Sequence, residues 1–218
     1  MIEMTTELLP SVALVGKQGS GKTTLADILV RDNYYVKHSW ASNVRHVFEL
    51  AYETITPANY ASIKARTYET TVITPEGNRM IALRTGGELL QLIGAEAIRE
   101  QVDQDFWVKS GIRSLMGKKI VSDDTRYLNE AEALRGRGWV IVRITAPVEI
   151  RKARLGGAFR PENHSSETEQ ENIVEDYVLN NDEQRDIDEV ALELITYLRS
   201  VDNSFMAQTQ RALSDSLF

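Results

Sequence analysis

Residues 11–24 read SVALVGKQGSGKTT, and this stretch decides the fold. Its opening SVALV, residues 11–15, is short, nearly all apolar and ended by a glycine, which predicts a strand buried on both faces, as in a parallel sheet. Residues 16–23, GKQGSGKT, fit the pattern G-x-x-x-x-G-K-[ST] without a mismatch. Leu25, Ile28 and Leu29 then recur at helical spacing, which predicts a helix directly after the loop. The order strand, glycine-rich turn and helix predicts a phosphate-binding loop.

Each residue type in this loop suits a nucleoside triphosphate. Glycines let the backbone curl so that successive N–H groups face a phosphate, and the helix N-terminus adds its dipole. Lys22 brings a positive charge to the β- and γ-phosphates, and the hydroxyl of Thr23 suits Mg²⁺. We therefore predict ATP and Mg²⁺ as cofactors. The residues expected to bind the nucleotide are Gly16, Gly19, Ser20, Gly21, Lys22, Thr23 and Thr24.

The rest of the chain alternates strand and helix patterns. Further strands are predicted within residues 34–40, 119–124 and 139–145, with a last short one at 178–179, and amphipathic helices lie between them. Such alternation predicts an α/β fold with three layers and a central parallel sheet.

Three segments depart from this alternation within a chain that we interpret as one domain, 1–218. Residues 57–85 carry turn signals and mixed charge, and 87–100 are strongly helical, so we interpret about 57–100 as an acceptor-binding insertion. Residues 147–172 are polar, basic and without periodicity, and we interpret them as a lid. The tail, 203–218, is weakly amphipathic.

Composition and charge limit the classes of function. The chain has 218 residues, no cysteine and 42% hydrophobic residues, so it can bury a core without disulfides and has no thiolate site. It lacks an apolar run long enough for a membrane span, and we expect a soluble cytoplasmic protein. The net charge of −7 disfavours nucleic acid and membrane partners. An anionic substrate must therefore meet a local cluster of Arg and Lys.

Two carboxylates follow the strand predicted at 119–124. Asp123 and Asp124 close this strand, and in open α/β sheets ligands bind beyond the carboxyl ends of the strands. We therefore predict Asp123, Asp124 and Thr23 as the residues that face the metal. A pair of aspartates that only begins a turn or caps the next helix is the structural alternative.

The densest basic run lies in the predicted lid. Arg151, Arg154 and Arg160 flank a Gly-Gly pair that would let the segment swing. Phosphoryl transfer spreads negative charge over the equatorial oxygens of the moving group, and positioned arginines stabilise that charge. We predict these three arginines as catalytic, with a solvated charged loop as the alternative.

Later segments resemble the phage-type deoxynucleoside monophosphate kinases, within the P-loop nucleoside monophosphate kinase superfamily. The resemblance covers roughly residues 11–182. The segments that carry it are ELLQ at 88–91 with GAE at 94–96 and Arg99, FWV at 106–108, DTRYLNE at 124–130 and HSSE at 164–167.

The resemblance implies ATP-dependent phosphorylation of deoxynucleoside 5′-monophosphates, in the host cytoplasm if the chain is phage-encoded. It places Gln91, Arg99, Trp107 and Arg126 at the acceptor, with Arg126 also catalytic, and gives Asp124 to the metal or the acceptor. The family commonly has an arginine where this chain has Gly87, and Arg84, one helical turn earlier, could replace its charge. The oligomeric state stays open, a homodimer included.

The sequence leaves several structural and functional alternatives open. The 87–100 helix could be only core, Trp107 could be a packing residue, and Arg126 with Glu130 could be a plain helix pair. Other functions compatible with the sequence are a kinase for phosphomevalonate, a kinase for modified bases in DNA, and a P-loop ATPase or switch without an acceptor.

Overall fold

The structure is a computed structural model that describes residues 9–113, 115, 119–159, 168–182 and 185–215, with side chains described up to Val201. The chain divides into two compact units. The loop unit comprises the residues up to Ser39 and those from Leu115 onward, and the hairpin unit comprises Trp40–Ser114. The hairpin unit contains the predicted insertion, 57–100, and extends beyond it at both ends.

The loop unit is built on a parallel sheet. Its strands are β1 (Val12–Val15), β2 (Val36–His38), β5 (Ile120–Ser122), β6 (Val140–Thr145) and β7 (Tyr177–Asn180). Their order is β2-β5-β1-β6-β7, and each neighbouring pair is parallel. All four residues of the central strand β1 are buried, as its continuous apolar sequence predicted. The predicted α/β fold with a central parallel sheet is confirmed.

Helices flank this sheet. They are α1 (Lys22–Asn33), α6 (Leu128–Arg135), α7 (Val148–Leu155) and α8 (Ile187–Asp215). The core joins β1, β6 and β7 to the apolar sides of α1 and α8, including Leu25, Leu29 and Leu194. The last helix, α8, continues to Asp215 and takes in most of the tail, 203–218. Within the described residues, no helix has the length and apolar character needed to cross a membrane.

The hairpin unit has regular elements where the sequence showed turn signals and mixed charge, over 57–85. Its elements are α2 (Ala41–Ala51), α3 (Tyr60–Ala65), the antiparallel strands β3 (Thr67–Ile73) and β4 (Arg79–Thr85), α4 (Gly86–Gln91), a π-helical turn (Leu92–Ala97) and α5 (Phe106–Ile112). The turn signal at 75–78 therefore marks a hairpin. Phe48, Ile63 and Leu89 form the core of this unit.

The helix predicted over 87–100 is divided in the structure. The capping box of Thr85 and Glu88 begins α4 at Gly86, and helical hydrogen bonding widens to the π pattern from Leu92. Helical periodicity in a sequence does not distinguish an α-helix from an α-helix with one wide turn.

The first part of the predicted lid is a helix. Residues 148–155 form α7, with Glu149 in its first turn and Lys152 and Arg154 in its last, which complements the helix dipole. The aperiodic loop predicted for 147–172 is therefore wrong over these residues. Arg160 and the HSSE segment, 164–167, lie outside the described residues.

Gly86 allows α4 to begin close to the end of α3. A Cβ atom at position 86 would lie 2.3 Å from the Ile63 carbonyl oxygen, a separation that atoms cannot tolerate. At the neighbouring Gly87 the nearest atom would be the Lys64 carbonyl oxygen at 3.3 Å. The close approach therefore depends on Gly86 more than on Gly87.

We expect Gly86→Ala to destabilise the protein by about 1–3 kcal/mol, because the methyl group forces backbone to shift. Gly87→Ala is the matched control, and it should change stability by less than about 1 kcal/mol, since a helical alanine is favoured over glycine. Thermal unfolding of both variants measures the difference. Equal stability of the two would contradict the packing argument.

Candidate functional site

The glycine-rich loop joins β1 to α1 at the carboxyl edge of the sheet. Gly16, Gly19 and Gly21 have φ angles of 138, 75 and 102°, a region that glycine adopts far more readily than other residues. Ser20 and Lys22 are both buried. The loop therefore has the curled backbone that the sequence predicted for residues 16–23.

Lys22 folds back over the loop. Its Nζ donates to the carbonyl oxygen of Gly16 and to that of Lys17, the latter at 2.8 Å. An ammonium group in this place can exchange backbone oxygens for phosphate oxygens, because both are hydrogen-bond acceptors. Lys22 therefore lies where its ammonium group could contact the phosphate groups of a ligand.

Two of the three arginines predicted as catalytic in the lid contact the loop. Arg151 is 6% exposed, and its Nη1 donates to the Gln18 carbonyl oxygen at 3.2 Å. Its Nε donates to the Ala146 carbonyl oxygen at 3.1 Å. Arg154, one turn further along α7, donates from Nη1 to the Gly19 carbonyl oxygen at 3.3 Å. Both guanidinium groups thus lie at the glycine-rich loop and donate hydrogen bonds to its carbonyl oxygens.

A small cavity lies beside the loop. Its volume is about 120 Å³, and its lining includes Gly16, Lys17, Ser20, Arg143 and Arg151. The Ser20 Oγ is buried and has no hydrogen-bond partner within the part of the chain that the structure describes. An unpartnered buried hydroxyl is costly, so Ser20 Oγ is available to an oxygen atom of a ligand or an ordered water.

Sequence reasoning missed the segment that packs against the first residues of the loop. Gln170 is 2% exposed, and its Oε1 accepts a hydrogen bond from the Gly16 N–H at 3.3 Å. The carboxylate of Glu171 pairs with Lys17 at 2.5 Å. Arg143 holds this segment by donating to the carbonyl oxygens of Gln170 and Ile173. Polar residues in an aperiodic segment carry no sequence signal for such a contact.

Asn181 is a second residue that sequence reasoning missed. It follows β7 directly, is 3% exposed, and donates from Nδ2 to the Ser20 carbonyl oxygen at 2.7 Å. The side chain thus reaches the loop across the carboxyl edge of the sheet. The only signal in the sequence is its position after a short strand.

The strand-end aspartates lie beside the loop but have different partners. Residues of β5 pair with β1, with Ala13 opposite Ser122, so both strands end at the same edge. The Asp124 carboxylate accepts from Ser39 Oγ at 2.6 Å and from Ser122 Oγ at 3.2 Å. Both of these donors are neutral hydroxyl groups.

Asp123 is instead paired with a lysine. Its carboxylate lies 3.0 Å from Lys37 Nζ, which also contacts Asp27 at 2.8 Å. Burial lowers the pKa of Lys37, but hydrogen bonds and charge attraction from Asp27 and Asp123 outweigh it, and the net pKa is raised. Asp123 would have to exchange this contact with Lys37 to bind a metal, and the roles of Asp123 and Asp124 toward a metal stay predictions.

His38 ends β2 near the same carboxylate. It is 9% exposed, and burial lowers its pKa, although the charge of Asp124 acts in the opposite direction. A lowered pKa keeps the imidazole neutral at pH 7. His38 therefore adds no positive charge that would compete with a cation at Asp124.

Arg126 begins the turn before α6. Glu130 is 2% exposed, and its Oε2 accepts from the backbone N–H groups of Arg126 at 2.9 Å and Tyr127 at 3.2 Å. Glu130 thus caps the helix, and this cap holds the backbone of Arg126 just beyond Asp124.

The remaining predicted acceptor residues lie in the hairpin unit. Arg84 and Arg99 are half-buried and Gln91 is exposed. Trp107 is 2% exposed, and its Nε1 donates to the Gly94 carbonyl oxygen at 2.8 Å, so in this conformation the ring is a packing group. The roles of these four residues toward an acceptor stay predictions.

The loop unit offers donors that fit Mg²⁺. Thr23 is exposed at the start of α1, and Asp124 supplies a carboxylate oxygen at the same edge of the sheet. Among the described residues, no group of three or more His, Cys, Asp or Glu side chains could enclose a metal. Mg²⁺ in nucleotide sites commonly takes one or two protein ligands, with phosphate oxygens and waters completing the shell. Thr23 and Asp124 fit that pattern.

Comparison with known proteins supports the fold. No protein-family model and no curated protein matches the chain. Among solved structures, a gluconokinase from Sinorhizobium meliloti 1021 is 12% identical with a TM-score of 0.52, over 93% of this chain and 98% of that chain. Shikimate kinase from Acinetobacter baumannii is 16% identical with a TM-score of 0.43, over 97% of both chains.

These likenesses differ in what they establish. The similarity to the gluconokinase shows that the chain has the fold of that protein, and at this identity it shows the fold alone. The TM-score of the shikimate kinase is too low to carry an argument. Neither likeness identifies the acceptor of this chain.

Proposed function

We propose that the chain is a P-loop kinase that transfers the γ-phosphoryl group of ATP to a deoxynucleoside 5′-monophosphate. The observation that carries the proposal is the glycine-rich loop with Lys22 at the end of β1, beside Asp124 at the end of the adjacent strand β5. A loop of this kind binds a phosphate chain, and the neighbouring carboxylate suits its Mg²⁺. The choice of acceptor rests on the resemblance of the later segments.

The reaction needs little covalent chemistry from the protein. An oxygen of the acceptor phosphate, already anionic at neutral pH, attacks the γ-phosphorus, and the bond to the β–γ bridging oxygen breaks to release ADP. Bound Mg²⁺ would neutralise charge on the phosphate oxygens, with Thr23 and Asp124 as its protein ligands. Lys22 would stabilise the charge that moves with the γ-phosphoryl group, and Ser20 Oγ would donate to a phosphate oxygen.

The proposed roles of the arginines begin only when the ligands bind. Arg151 and Arg154 lie against the loop, and either could exchange a backbone oxygen for a phosphate oxygen when ATP binds. Arg126 follows Asp124 in the chain and would face the acceptor phosphate. In the hairpin unit, Arg84, Gln91, Arg99 and Trp107 are proposed as the residues that recognise the acceptor.

The acceptor is tested by ADP release measured over deoxy- and ribonucleoside monophosphates, phosphomevalonate, gluconate and no acceptor. We expect stimulation by one or more deoxynucleoside monophosphates. Ribonucleotides should be poorer by up to about a hundredfold, because a pocket that merely disfavours an added hydroxyl discriminates only that far. Gluconate is included because the gluconokinase shares this fold.

Each other outcome of this survey removes part of the proposal. Stimulation by phosphomevalonate or gluconate alone would exclude a nucleotide acceptor. A rate of ADP release that no acceptor changes would favour an ATPase or switch.

Lys22→Ala should lower the transfer rate by at least about a hundredfold while the protein stays folded, because it removes a charge that follows the γ-phosphoryl group into the transition state. The control is Lys17→Ala, which removes the other lysine of the loop, whose ammonium group pairs with the carboxylate of Glu171. We expect a much smaller effect from it. Near-wild-type turnover of Lys22→Ala would exclude a catalytic role for the loop.

Arg84→Ala should raise the KM for the acceptor and leave the KM for ATP nearly unchanged, because Arg84 is proposed to replace the arginine that the family commonly has at position 87. Arg79→Ala is the matched control, since Arg79 is an exposed arginine at the other end of the same strand, β4. Steady-state kinetics with each substrate varied in turn measures both. Equal effects of the two variants would remove Arg84 from the acceptor.

A further inference from the structure

Five consecutive carbonyl oxygens of the loop, those of residues 16–20, accept hydrogen bonds from side chains. Lys22 donates to the carbonyl oxygens of residues 16 and 17. The carbonyl oxygens of residues 18, 19 and 20 accept, in that order, from Arg151 at 3.2 Å, Arg154 at 3.3 Å and Asn181 at 2.7 Å. Arg151 and Arg154 lie on α7, and Asn181 follows β7. The donors to residues 18–20 come from outside the loop and its helix.

Holding a carbonyl group also orients the next N–H group. In a planar trans peptide the C=O of one residue and the N–H of the following residue point in opposite directions. Donors that fix the carbonyls of Gly19 and Ser20 therefore fix the N–H groups of Ser20 and Gly21. The Ser20 N–H donates to the Lys17 carbonyl oxygen at 3.2 Å, and the Gly21 N–H is a backbone group of the kind that a phosphate loop presents to its ligand.

Asn181 is the most constrained of these donors. Its own N–H donates to the Thr145 carbonyl oxygen at 2.8 Å, which continues the pairing of β6 with β7. Its carbonyl oxygen and its Oδ1 accept from Arg154 Nη2 at 3.2 and 3.3 Å. With its backbone anchored and both side-chain polar atoms engaged, the Asn181 side chain has one arrangement that satisfies every group.

Gly21 leaves the space that Asn181 occupies. A Cβ atom at position 21 would lie 2.2 Å from Asn181 Nδ2, so a side chain there and the present position of Asn181 are incompatible. This contact is independent of the hydrogen bond to Ser20. The last glycine of the motif is thus packed against a residue 160 positions later in the chain.

We propose that Asn181, held by Arg154, is a positioning residue for the phosphate chain of ATP. By fixing the peptide between Ser20 and Gly21, it keeps the Gly21 N–H turned toward the ligand and the Ser20 carbonyl oxygen turned away. A peptide free to rotate would present that oxygen to the phosphates and repel them. The inference rests on the proposed function in taking a nucleoside triphosphate as the ligand.

Asn181→Asp tests this role with the smallest change of shape. The aspartate keeps an oxygen facing Arg154 but sets a second oxygen, in place of the Nδ2 donor, against the Ser20 carbonyl oxygen. We expect the Kd for Mg·ATP, measured by titration calorimetry, to rise about tenfold, since this corresponds to about 1.4 kcal/mol, which is within the cost of losing a buried hydrogen bond. The KM for the acceptor should stay within about twofold.

Asn180→Asp is the matched control, because it makes the same chemical change one residue earlier. The Asn180 side chain is exposed, and its Nδ2 donates to Asp182 at 2.7 Å. We expect the ATP affinity of this variant to stay within about twofold of wild type. Amide hydrogen exchange at residues 19–21 of the free protein should be faster in Asn181→Asp than in Asn180→Asp.

If Asn181→Asp does not fold, Arg154→Gln tests the same pair from the exposed side, with Lys152→Gln on the same helix as its control. Arg154→Gln should weaken ATP binding by about threefold or more, and Lys152→Gln should not. Wild-type ATP affinity in both Asn181→Asp and Arg154→Gln would overturn the inference alone. Failure of the wild-type chain to bind Mg·ATP would remove the proposed function, and the inference with it.

Discussion

The parallel pairing of β1 with β5 on one side and β6 on the other is the interaction on which the candidate site depends. Parallel strands end at the same edge of a sheet, so this pairing brings the phosphate loop, Asp124 and the residues after β6 to one place. β1 can sit between two strands because its four residues are all buried and apolar. A polar residue in β1 would be costly on either face.

The loop itself is a backbone structure that needs outside support. Its glycines permit the curled conformation but do not select it, because glycine also has the most freedom to lose on folding. The selection comes from the side-chain donors of Lys22, Arg151, Arg154 and Asn181 on successive carbonyl oxygens. Three of these donors, Lys22, Arg151 and Arg154, are also cations and create a positive local field in a chain with a net charge of −7. Support for the backbone and attraction of an anion are thus provided by the same residues.

The hairpin unit has a different organisation. Phe48, Tyr52 and Tyr68 pack with ring centroids 4.9–5.6 Å apart, and Glu53 accepts hydrogen bonds from Tyr68 and Arg66. This cluster packs around Tyr68, near the start of β3. In contrast, Ile73, Ile81 and Leu83 on the same hairpin are exposed. The π-helical turn after α4 changes the angular relation between residues on its two sides. Gln91 and Arg99 therefore need not share the helix face that a spacing of 3.6 residues per turn would assign to them.

Sequence alone determined the parallel α/β fold, the curled loop at 16–23 and the strand-end position of Asp124, because each follows from local pattern. Buried strands read as continuous apolar runs, and a phosphate loop needs glycine, lysine and threonine at set spacing. Only the tertiary structure decided the rest. It paired Asp123 with Lys37, buried the Trp107 ring, formed α7 from the first part of the predicted lid and brought Gln170 and Asn181 to the loop. These contacts join residues far apart in the chain, and their partners are set by strand order and packing, which no local pattern encodes.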